Sequence, residues 1–224
     1  MKNKQQLVPS LLSFDKNNWS YYFLLFEKAN LEYIHFDVMD KEYVNHTAFN
    51  EKDFKKFVHN FNNLKAHVHL MVMDPLKEVE KYFHKKTKAI SFHFDVYKNP
   101  NDVIKCLEKI KAVGIKAGIA VSPHFNIWNY EQYLMHCDFI TMMGVHPGLG
   151  GQPFNVECLQ NLQELKTWSV ENNKDFLIEV DGGMDLETMR LVAKDCQFIV
   201  SGSFLAKNIH KLNEIVEDFD KLQN

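Results

Sequence analysis

Four short segments of the chain each end an apolar run with side chains that can bind a metal ion. The side chains in question are His35 and Asp37 in the first segment, His69 in the second, His93 and Asp95 in the third, and Asp181 in the fourth. A histidine or aspartate at the C-terminal end of a strand faces the active site in α/β barrels, where catalytic groups gather at the strand tops. Two imidazoles and two carboxylates suit Zn²⁺, Fe²⁺, Mn²⁺ or Co²⁺ better than Mg²⁺ or Ca²⁺, which prefer oxygen ligands. We therefore predict a site for one divalent ion, with His93 and Asp95 ranked below the other four residues.

Each of these residues alone has an ordinary explanation. A single strand histidine is usually a hydrogen-bonded core or surface group, and an aspartate after a strand often caps a helix. Four at matching strand ends are different, because burying two carboxylates together without a cation is costly. His67 lies two residues before His69 and therefore faces the same side of its strand. We expect it to point inward, one layer deeper than His69.

Glycine-rich segments follow the sixth, seventh and eighth predicted strands, at 144–154, 182–183 and 201–203. Glycine lets backbone N–H groups approach an anion closely. In many barrels the phosphate site forms from the loops after strands seven and eight with the start of a short helix, here expected at 203–207. Arg190 is the only arginine, so bidentate clamping by guanidinium is nearly excluded. We predict a phosphate site made mainly of backbone N–H groups.

Strand-like and helix-like segments alternate along the chain. Strands are predicted at 7–13, 33–38, 66–72, 89–94, 117–121, 139–143, 176–180 and 198–201. Helices are predicted at 19–29, 51–63, 76–84, 101–113, 130–136, 156–171, 186–194 and 209–222, with Asp185 as an N-cap and Gly114 as a C-terminal stop. The apolar strand runs are continuous, which is typical of a covered parallel sheet. Eight units fit one (β/α)8 TIM barrel over residues 1–224. An open doubly wound sheet is the alternative, but no GxGxxG motif follows the first strand.

Composition narrows the class of protein further. A hydrophobic fraction of 46% in 224 residues is enough for a sizeable core, and a net charge of −3 gives no reason to expect a nucleic-acid partner. The four cysteines form no CxxC pair, which favours reduced, buried thiols over a zinc knuckle or redox motif. No signal peptide or membrane-spanning apolar run is apparent. We expect a cytoplasmic protein without a membrane partner.

Six segments resemble the signatures of one family, in the family's order and across nearly the whole chain. They are VPSLLS at 8–13, HFDVMD at 35–40, VHLMV at 68–72, GLGGQ at 148–152, VDGG at 180–183 and VSGS at 200–203. Together they resemble ribulose-phosphate 3-epimerases. The resemblance implies a TIM barrel of the ribulose-phosphate-binding type that interconverts D-ribulose 5-phosphate and D-xylulose 5-phosphate in the pentose phosphate pathway.

The resemblance also implies roles for individual residues. His35, Asp37, His69 and Asp181 would bind one divalent ion, and Asp37 and Asp181 would also be the acid and base that invert C3 through an enediolate. Three methionines would line an apolar floor that keeps water away from the enediolate, although ordinary core packing explains them equally well. The implied substrate-binding residues are Ser10, Met39, His69, Met71, Met143, Gly148, Leu149, Gly150, Gly151, Asp181, Gly182, Gly183, Gly202 and Ser203.

The chain departs from the family pattern at several positions around the expected site. The family usually has Gly and then a Val-Pro-Asn loop where this chain has the segment 41–46, and losing the proline should loosen that loop. It usually has Asp at His67, and often Glu at His146 and Phe at Leu149. These changes leave the implied ligands and acid/base pair intact. They leave undetermined which sugar phosphate is the substrate.

Three other functions remain to be weighed against this one. The nearest is a 3-epimerase of a ketohexose 6-phosphate such as allulose 6-phosphate, for which segment 41–46 would carry the difference. A phosphate-barrel lyase or decarboxylase would place a lysine among the strand-end charges, and none stands there. A non-catalytic phosphosugar-binding paralogue would have lost Asp37 or Asp181, and both are present. The sequence leaves the metal and the oligomer open, although the resemblance favours a homo-oligomer.

Overall fold

The computed structural model describes residues 5–60 and 63–222, which form one parallel sheet wrapped into a barrel. The strand order is β1-β8-β7-β6-β5-β4-β3-β2, and every neighbouring pair is parallel. A parallel bridge between Ser10 and His35 joins the two ends of this order. The strands are β1 (Gln6–Pro9), β2 (Tyr33–Met39), β3 (Lys65–Met71), β4 (Thr87–His93), β5 (Lys116–Val121), β6 (Phe139–Met143), β7 (Leu177–Asp181) and β8 (Phe198–Ser201).

Helices follow the strands and cover the outside of the sheet. The α-helices are α1 (Trp19–Lys28), α2 (Glu51–Asn60), α3 (Pro75–Glu78), α4 (Pro100–Lys111), α5 (Glu131–Leu134), α6 (Glu157–Glu171), α7 (Leu186–Val192), α8 (Ser203–Lys207) and α9 (Leu212–Lys221). Short 3-10 helices occupy Leu11–Ser13, Lys16–Asn18, Val79–Tyr82, Phe94–Val96, Ile127–Asn129 and Ile209–Lys211. The predicted TIM barrel is confirmed.

The helices form where their apolar residues recur at helical spacing. In α9, Leu212, Ile215 and Phe219 are three and four residues apart, and all three side chains are buried. The predicted N-cap of α7 is confirmed, because the Asp185 carboxylate accepts hydrogen bonds from the backbone N–H groups of Glu187 and Thr188. The core between the sheet and the helices is continuous.

Several predicted boundaries were wrong for local reasons. The first strand stops at Pro9 instead of residue 13, because the Ser10 hydroxyl accepts the N–H of Leu12 and starts a 3-10 turn. The predicted helix 76–84 is split into α3 and a 3-10 segment, since i→i+3 hydrogen bonds tighten its second half. The described part of α2 ends at Asn60, and the predicted helical residues 61–62 lie outside the described residues.

The inside of the barrel is layered, and its middle layer is polar. At the lower end Val8, Ala89, Phe139, Phe198 and Val200 form a small apolar cluster. Polar side chains from five strands lie above this cluster, and three of the four candidate metal ligands, Asp37, His69 and Asp181, lie above them. The interior of such a barrel is more often filled with branched apolar residues. The polar middle layer consists of His35, His67, Ser91, Thr141 and Glu179, all of which are buried.

Two further sequence expectations concern the cysteines and the membrane. All four cysteines are free and buried, in agreement with the prediction of buried thiols. Within residues 5–60 and 63–222, no helix combines the length and hydropathy needed to cross a bilayer.

Candidate functional site

The candidate site lies at the C-terminal ends of β2, β3 and β7. His35 and Asp37 are two apart on β2, so both point into the barrel, and the register pairs Asp37 with His69 on β3. Asp181 is the last residue of β7 and pairs with Met143 on β6. Strand periodicity and register thus bring together four residues that are separated by up to 146 positions in sequence (181 − 35).

The four predicted ligands form one compact cluster. Each offers a donor atom, and these atoms all lie within 4.8 Å of one another. His69 Nδ1 is 3.5 Å from Asp37 Oδ1 and 3.6 Å from Asp181 Oδ2, while His35 Nε2 is 3.9 Å from Asp181 Oδ2. Four donors placed about 2.1 Å from a central ion in a tetrahedron would be about 3.4 Å apart. These spacings therefore suit a set of donors arranged around one ion.

Two buried nitrogen atoms in this cluster have no hydrogen-bond partner among the described residues. They are His35 Nε2 and His69 Nδ1. The other nitrogen of each ring is engaged, since His35 Nδ1 lies 3.2 Å from Asp37 Oδ2 and His69 Nε2 lies 2.9 Å from His93 Nε2. A buried polar atom without a partner is costly, and a metal ion is one group that would satisfy both nitrogens.

The carboxylates and imidazoles of the cluster shift one another's pKa values. Burial alone would lower the pKa of the His35 imidazole, but the carboxylates of Asp37, Asp181 and Glu179 outweigh it and raise this pKa well above its usual value. Burial would raise the pKa of Asp37, yet the imidazoles of His35 and His69 lower it strongly, so Asp37 is ionised. The Ser10 hydroxyl donates a hydrogen bond of 2.8 Å to Asp37 Oδ2, which also favours the ionised form.

A cavity opens above the cluster, and glycine-containing loops form most of its wall. Ser203, at the start of α8, lies beside Gly202, and Gly150 and Gly202 both approach the Ser13 hydroxyl. The Gln152 amide donates to two carbonyl groups of its own loop and braces it. Of the implied substrate-binding residues, those that line the cavity are Ser10, Met39, Met71, Met143, Gly148, Leu149, Gly150, Gly151, Asp181, Gly182, Gly183, Gly202 and Ser203.

His69 is the one implied substrate-binding residue that does not line this cavity. Its ring is fully buried beneath the wall, beside His35. Three methionine side chains, those of Met39, Met71 and Met143, are almost completely buried and form part of the cavity lining. The cavity therefore combines a charged cluster, an apolar floor and loops rich in backbone N–H groups.

Sequence reasoning missed Glu179. Its carboxylate is fully buried one layer below the cluster, with Oε2 2.6 Å from His67 Nδ1 and Oε1 3.5 Å from His35 Nε2. Burial would raise its pKa, but the imidazoles of His67 and His35 lower it strongly. The signal was available, because Glu179 lies two residues before Asp181 on the same strand face. Ser13, whose hydroxyl lies against the glycine loops, was also missed.

His93 and Asp95 lie beside the cluster and contribute no donor atom to it. His93 is buried, and burial, together with the neighbouring His69 and His124, lowers its pKa well below the usual value, so the ring is neutral. Asp95 is exposed and accepts a hydrogen bond from the Tyr43 hydroxyl. Both residues therefore support the site from outside the cluster.

The segment 41–46, where the chain departs from the family pattern, leads from β2 to the cavity mouth. Lys41 adopts a left-handed conformation with φ 70°, at the position where the family pattern has glycine. The Asp40 carboxylate accepts hydrogen bonds from the N–H groups of Glu42, Tyr43 and Met73 and so anchors the turn. The predicted loosening of this segment stays a prediction.

The other two departures lie at the mouth of the cavity. The His146 ring stacks near the His124 ring with centroids 6.0 Å apart, and Leu149 is largely exposed. His67, the departure one layer below, is buried and inward-facing as expected, with the rings of Tyr33, Phe139 and Phe198 around it.

The comparison with family models and the comparison with curated proteins agree on one family. The model of the Ribulose-phosphate 3 epimerase family matches residues 6–206. The chain is 32% identical over 202 residues to the ribulose-phosphate 3-epimerase of Mycoplasma pneumoniae, covering 90% of this chain and 87% of that protein. It is 30% identical over 200 residues to the Bacillus subtilis protein of the same name, covering 88% and 90%.

Among solved structures, a mutant tryptophan synthase α-subunit from Pyrococcus furiosus superposes with a TM-score of 0.67. The match covers 100% of this chain and 99% of that one, at 12% sequence identity. At that identity the likeness shows the barrel fold alone.

Proposed function

The chain belongs to the ribulose-phosphate 3-epimerase family, and from this premise we propose a specific reaction. The protein is a single-domain, metal-dependent enzyme that interconverts D-ribulose 5-phosphate and D-xylulose 5-phosphate. The observation that carries the proposal is the buried cluster of His35, Asp37, His69 and Asp181 beneath a cavity walled by glycine loops. A metal ion held by such a cluster could polarise a carbonyl group of the substrate, and the backbone N–H groups of such loops could bind its phosphate.

The donor set fits one divalent ion. His35 through Nε2 and His69 through Nδ1 would hold it together with the carboxylates of Asp37 and Asp181, because these two nitrogens make no hydrogen bond to any described residue. When bound, the ion would supply positive charge that stabilises an enediolate as its negative charge develops. Zn²⁺, Fe²⁺, Mn²⁺ and Co²⁺ all suit this mixed nitrogen and oxygen set.

Asp37 and Asp181 carry the proton transfers. Inverting C3 requires one carboxylate to remove a proton from one face of the carbon and a protonated carboxyl group to deliver a proton to the other face. Asp37 is ionised, because the neighbouring imidazoles lower its pKa and Ser10 donates a hydrogen bond to it. In one direction of the reaction, Asp37 therefore removes the proton from C3. Asp181 on β7 delivers a proton to the opposite face.

The remaining residues bind and orient the substrate. Backbone N–H groups around Gly150, Gly182 and Gly202 would hold the phosphate, because Arg190, the only arginine, is exposed on α7 and does not line the cavity. Met39, Met71 and Met143 form an apolar floor that excludes water from C3 without offering a proton.

Exchange of the C3 proton tests this proposal directly. Incubating the protein with D-ribulose 5-phosphate in D₂O should incorporate deuterium at C3 and produce D-xylulose 5-phosphate. NMR detects both changes. A protein that neither exchanges nor epimerises this sugar when it is loaded with each of the four ions in turn would overturn the proposal.

A second candidate function is 3-epimerisation of a ketohexose 6-phosphate such as allulose 6-phosphate. The observation that favours it is the altered segment 41–46, whose Val44 side chain packs against Gly148 in the cavity wall. The ratio of kcat/KM for the pentulose and hexulose phosphates decides between the two. A value that favours allulose 6-phosphate would replace the substrate and keep the mechanism.

The homo-oligomer that the family resemblance implies is also part of the proposal. On α1, Tyr21 and Leu24 are both more than half exposed, and large apolar side chains of this kind are a natural contact between copies. Light scattering coupled to size-exclusion chromatography gives the oligomeric state, and a monomer at micromolar concentration would contradict this part.

A further inference from the structure

His93 makes a hydrogen bond to His69 that has no role in the mechanism above. His93 is the last residue of β4, beside β3, and its Nε2 atom lies 2.9 Å from Nε2 of His69. Both side chains are almost completely buried. A hydrogen bond between two imidazole nitrogens needs a hydrogen on one of them and a lone pair on the other. The bond therefore ties the protonation pattern of one ring to that of its neighbour.

Only one arrangement of this bond leaves His69 able to bind an ion. His69 Nδ1 faces Asp37 Oδ1 at 3.5 Å and Asp181 Oδ2 at 3.6 Å, and it must present a lone pair to act as a ligand. A neutral His69 then carries its hydrogen on Nε2 and donates it to His93 Nε2. If His93 donated instead, the hydrogen of a neutral His69 would sit on Nδ1 and would block the ion.

We propose that His93 is a positioning residue that accepts the Nε2–H of His69 and thereby aims the Nδ1 lone pair of His69 at the divalent ion. This inference rests on the metal site of the proposed function. Partners of this kind around metal-binding histidines fix ring orientation, and losing one typically weakens metal binding by about 10- to 100-fold. Either arrangement of the bond leaves His93 Nδ1 without a partner among the described residues, so that atom does not discriminate between them.

The loop after β2 covers His93 and shields the bond. The Tyr43 ring stacks on the His93 ring with centroids 4.8 Å apart and an interplanar angle of 30°. The Tyr43 hydroxyl lies 3.2 Å from Oδ1 of Asp95, two residues beyond His93. Segment 41–46 is therefore in contact with His93, the residue that orients His69. Because the stacking needs only the ring, Tyr43→Phe is a control that removes the hydroxyl contact and keeps the cover.

Cobalt binding to metal-free protein tests the inference without relying on activity. Co²⁺ is titrated into wild type, His93→Gln, His93→Asn and Tyr43→Phe, with affinity measured by chelator competition and the ligand field read from the visible absorption of bound Co²⁺. A Gln side chain carries its amide oxygen at the position of Nε2 and can accept the His69 hydrogen. An Asn side chain is one bond shorter and cannot reach it.

The expected result is a separation of the two amide variants. His93→Asn should bind Co²⁺ about 10- to 100-fold more weakly than wild type, with a shifted absorption band. His93→Gln should stay close to wild type, as should Tyr43→Phe. Melting temperatures of the metal-free variants show that each is folded, and they should not follow the order of the Co²⁺ affinities.

Two outcomes would overturn the inference, and they differ in what else they overturn. Equal affinity and equal spectra for His93→Asn and His93→Gln would overturn the role of His93 and leave the proposed metal site intact. A wild-type protein that binds no Co²⁺ would overturn both this inference and the metal dependence of the proposed function.

Discussion

His67 Nδ1 and Glu179 Oε2 lie 2.6 Å apart in the interior of the barrel, with both side chains almost fully buried. Because the imidazoles of His67 and His35 hold the pKa of Glu179 low, its carboxylate is ionised and can only accept, so His67 Nδ1 carries the hydrogen. This pair lies directly below the candidate metal cluster. His67 stands at a position where the family pattern usually has Asp.

Removing His67 from this pair should destabilise the fold. His67→Phe keeps an aromatic ring among Tyr33, Phe139 and Phe198 but leaves the Glu179 carboxylate without its closest partner, and we expect a loss of about 3 kcal/mol in the free energy of unfolding. Urea titration of the metal-free proteins measures it. The control is Lys16→Ala, which breaks an ion pair of similar length at the surface and should cost less than about 1 kcal/mol. A His67→Phe protein as stable as this control would contradict the prediction.

Replacing either of the two proposed catalytic aspartates should abolish epimerisation and preserve the fold. Asp37→Asn and Asp181→Asn each remove one of the two proton carriers, and we expect kcat to fall by at least about 10²-fold. Each variant should keep C3 exchange in D₂O with only one of the two sugars, because the surviving aspartate serves only one face. Asp218→Asn, the same change at an exposed site on α9, should have no effect. An Asp181→Asn enzyme that still epimerises would refute the two-base mechanism.

Removing divalent ions should inactivate the protein and lower its melting temperature. An ion present at 100 times its dissociation constant stabilises the folded state by about 2.7 kcal/mol, which corresponds to a melting shift of roughly 5–10 °C for a chain of this size. Adding Zn²⁺, Fe²⁺, Mn²⁺ or Co²⁺ after chelation should restore both properties, while Mg²⁺ and Ca²⁺ should not. Full activity in protein shown by elemental analysis to hold no metal would contradict this.

Gly183 should tolerate no side chain, in contrast to a glycine with the same backbone conformation elsewhere. Gly183 has φ +72°, and a Cβ atom there would lie 2.6 Å from the Cα atom of Phe154. Gly114 has φ +76° and open space around it. Gly114→Ala should therefore cost only about 1 kcal/mol of backbone strain, whereas Gly183→Ala must also displace the cavity wall. We expect the KM of the phosphosugar to rise by more than about 10-fold for Gly183→Ala alone, measured by steady-state kinetics.

The buried thiols should be inert in the native protein. Burial raises the pKa of Cys106, Cys137 and Cys158 to about 12, and that of Cys196 is raised as well. At pH 8 the thiolate form is therefore negligible, and Ellman's reagent should label none of the four until urea unfolds the chain. Rapid labelling of native protein at pH 8 would contradict this.

The same shifts set a pH dependence of stability. A thiol whose pKa is raised on folding contributes stability that is complete below its unfolded pKa, about 8.5, and that is lost as pH rises towards the folded value. The free energy of unfolding should therefore fall above about pH 9. Replacing Cys137 by Ala should reduce the slope of that fall.

Much of this protein could be predicted from its residues in sequence. The alternation of apolar runs with helical patterns predicts the barrel, and spacing by two residues puts His35 and Asp37 on one face of β2. Asp185 acts as the predicted cap because capping depends on residues only three positions away. These features are local, so short-range periodicity and side-chain chemistry are enough to specify them.

The tertiary structure decided the features that depend on register and ring orientation. Glu179 contacts His67 although the two residues are 112 positions apart in sequence. The register of β3 against β2 and of β7 against β6 sets the height of each side chain in the barrel. The contact of His93 with His69 likewise depends on how β4 lies against β3 and on the side-chain torsions of both rings. Distances of about 3 Å between such atoms arise from the closure and packing of the whole barrel, which no local pattern in the sequence records.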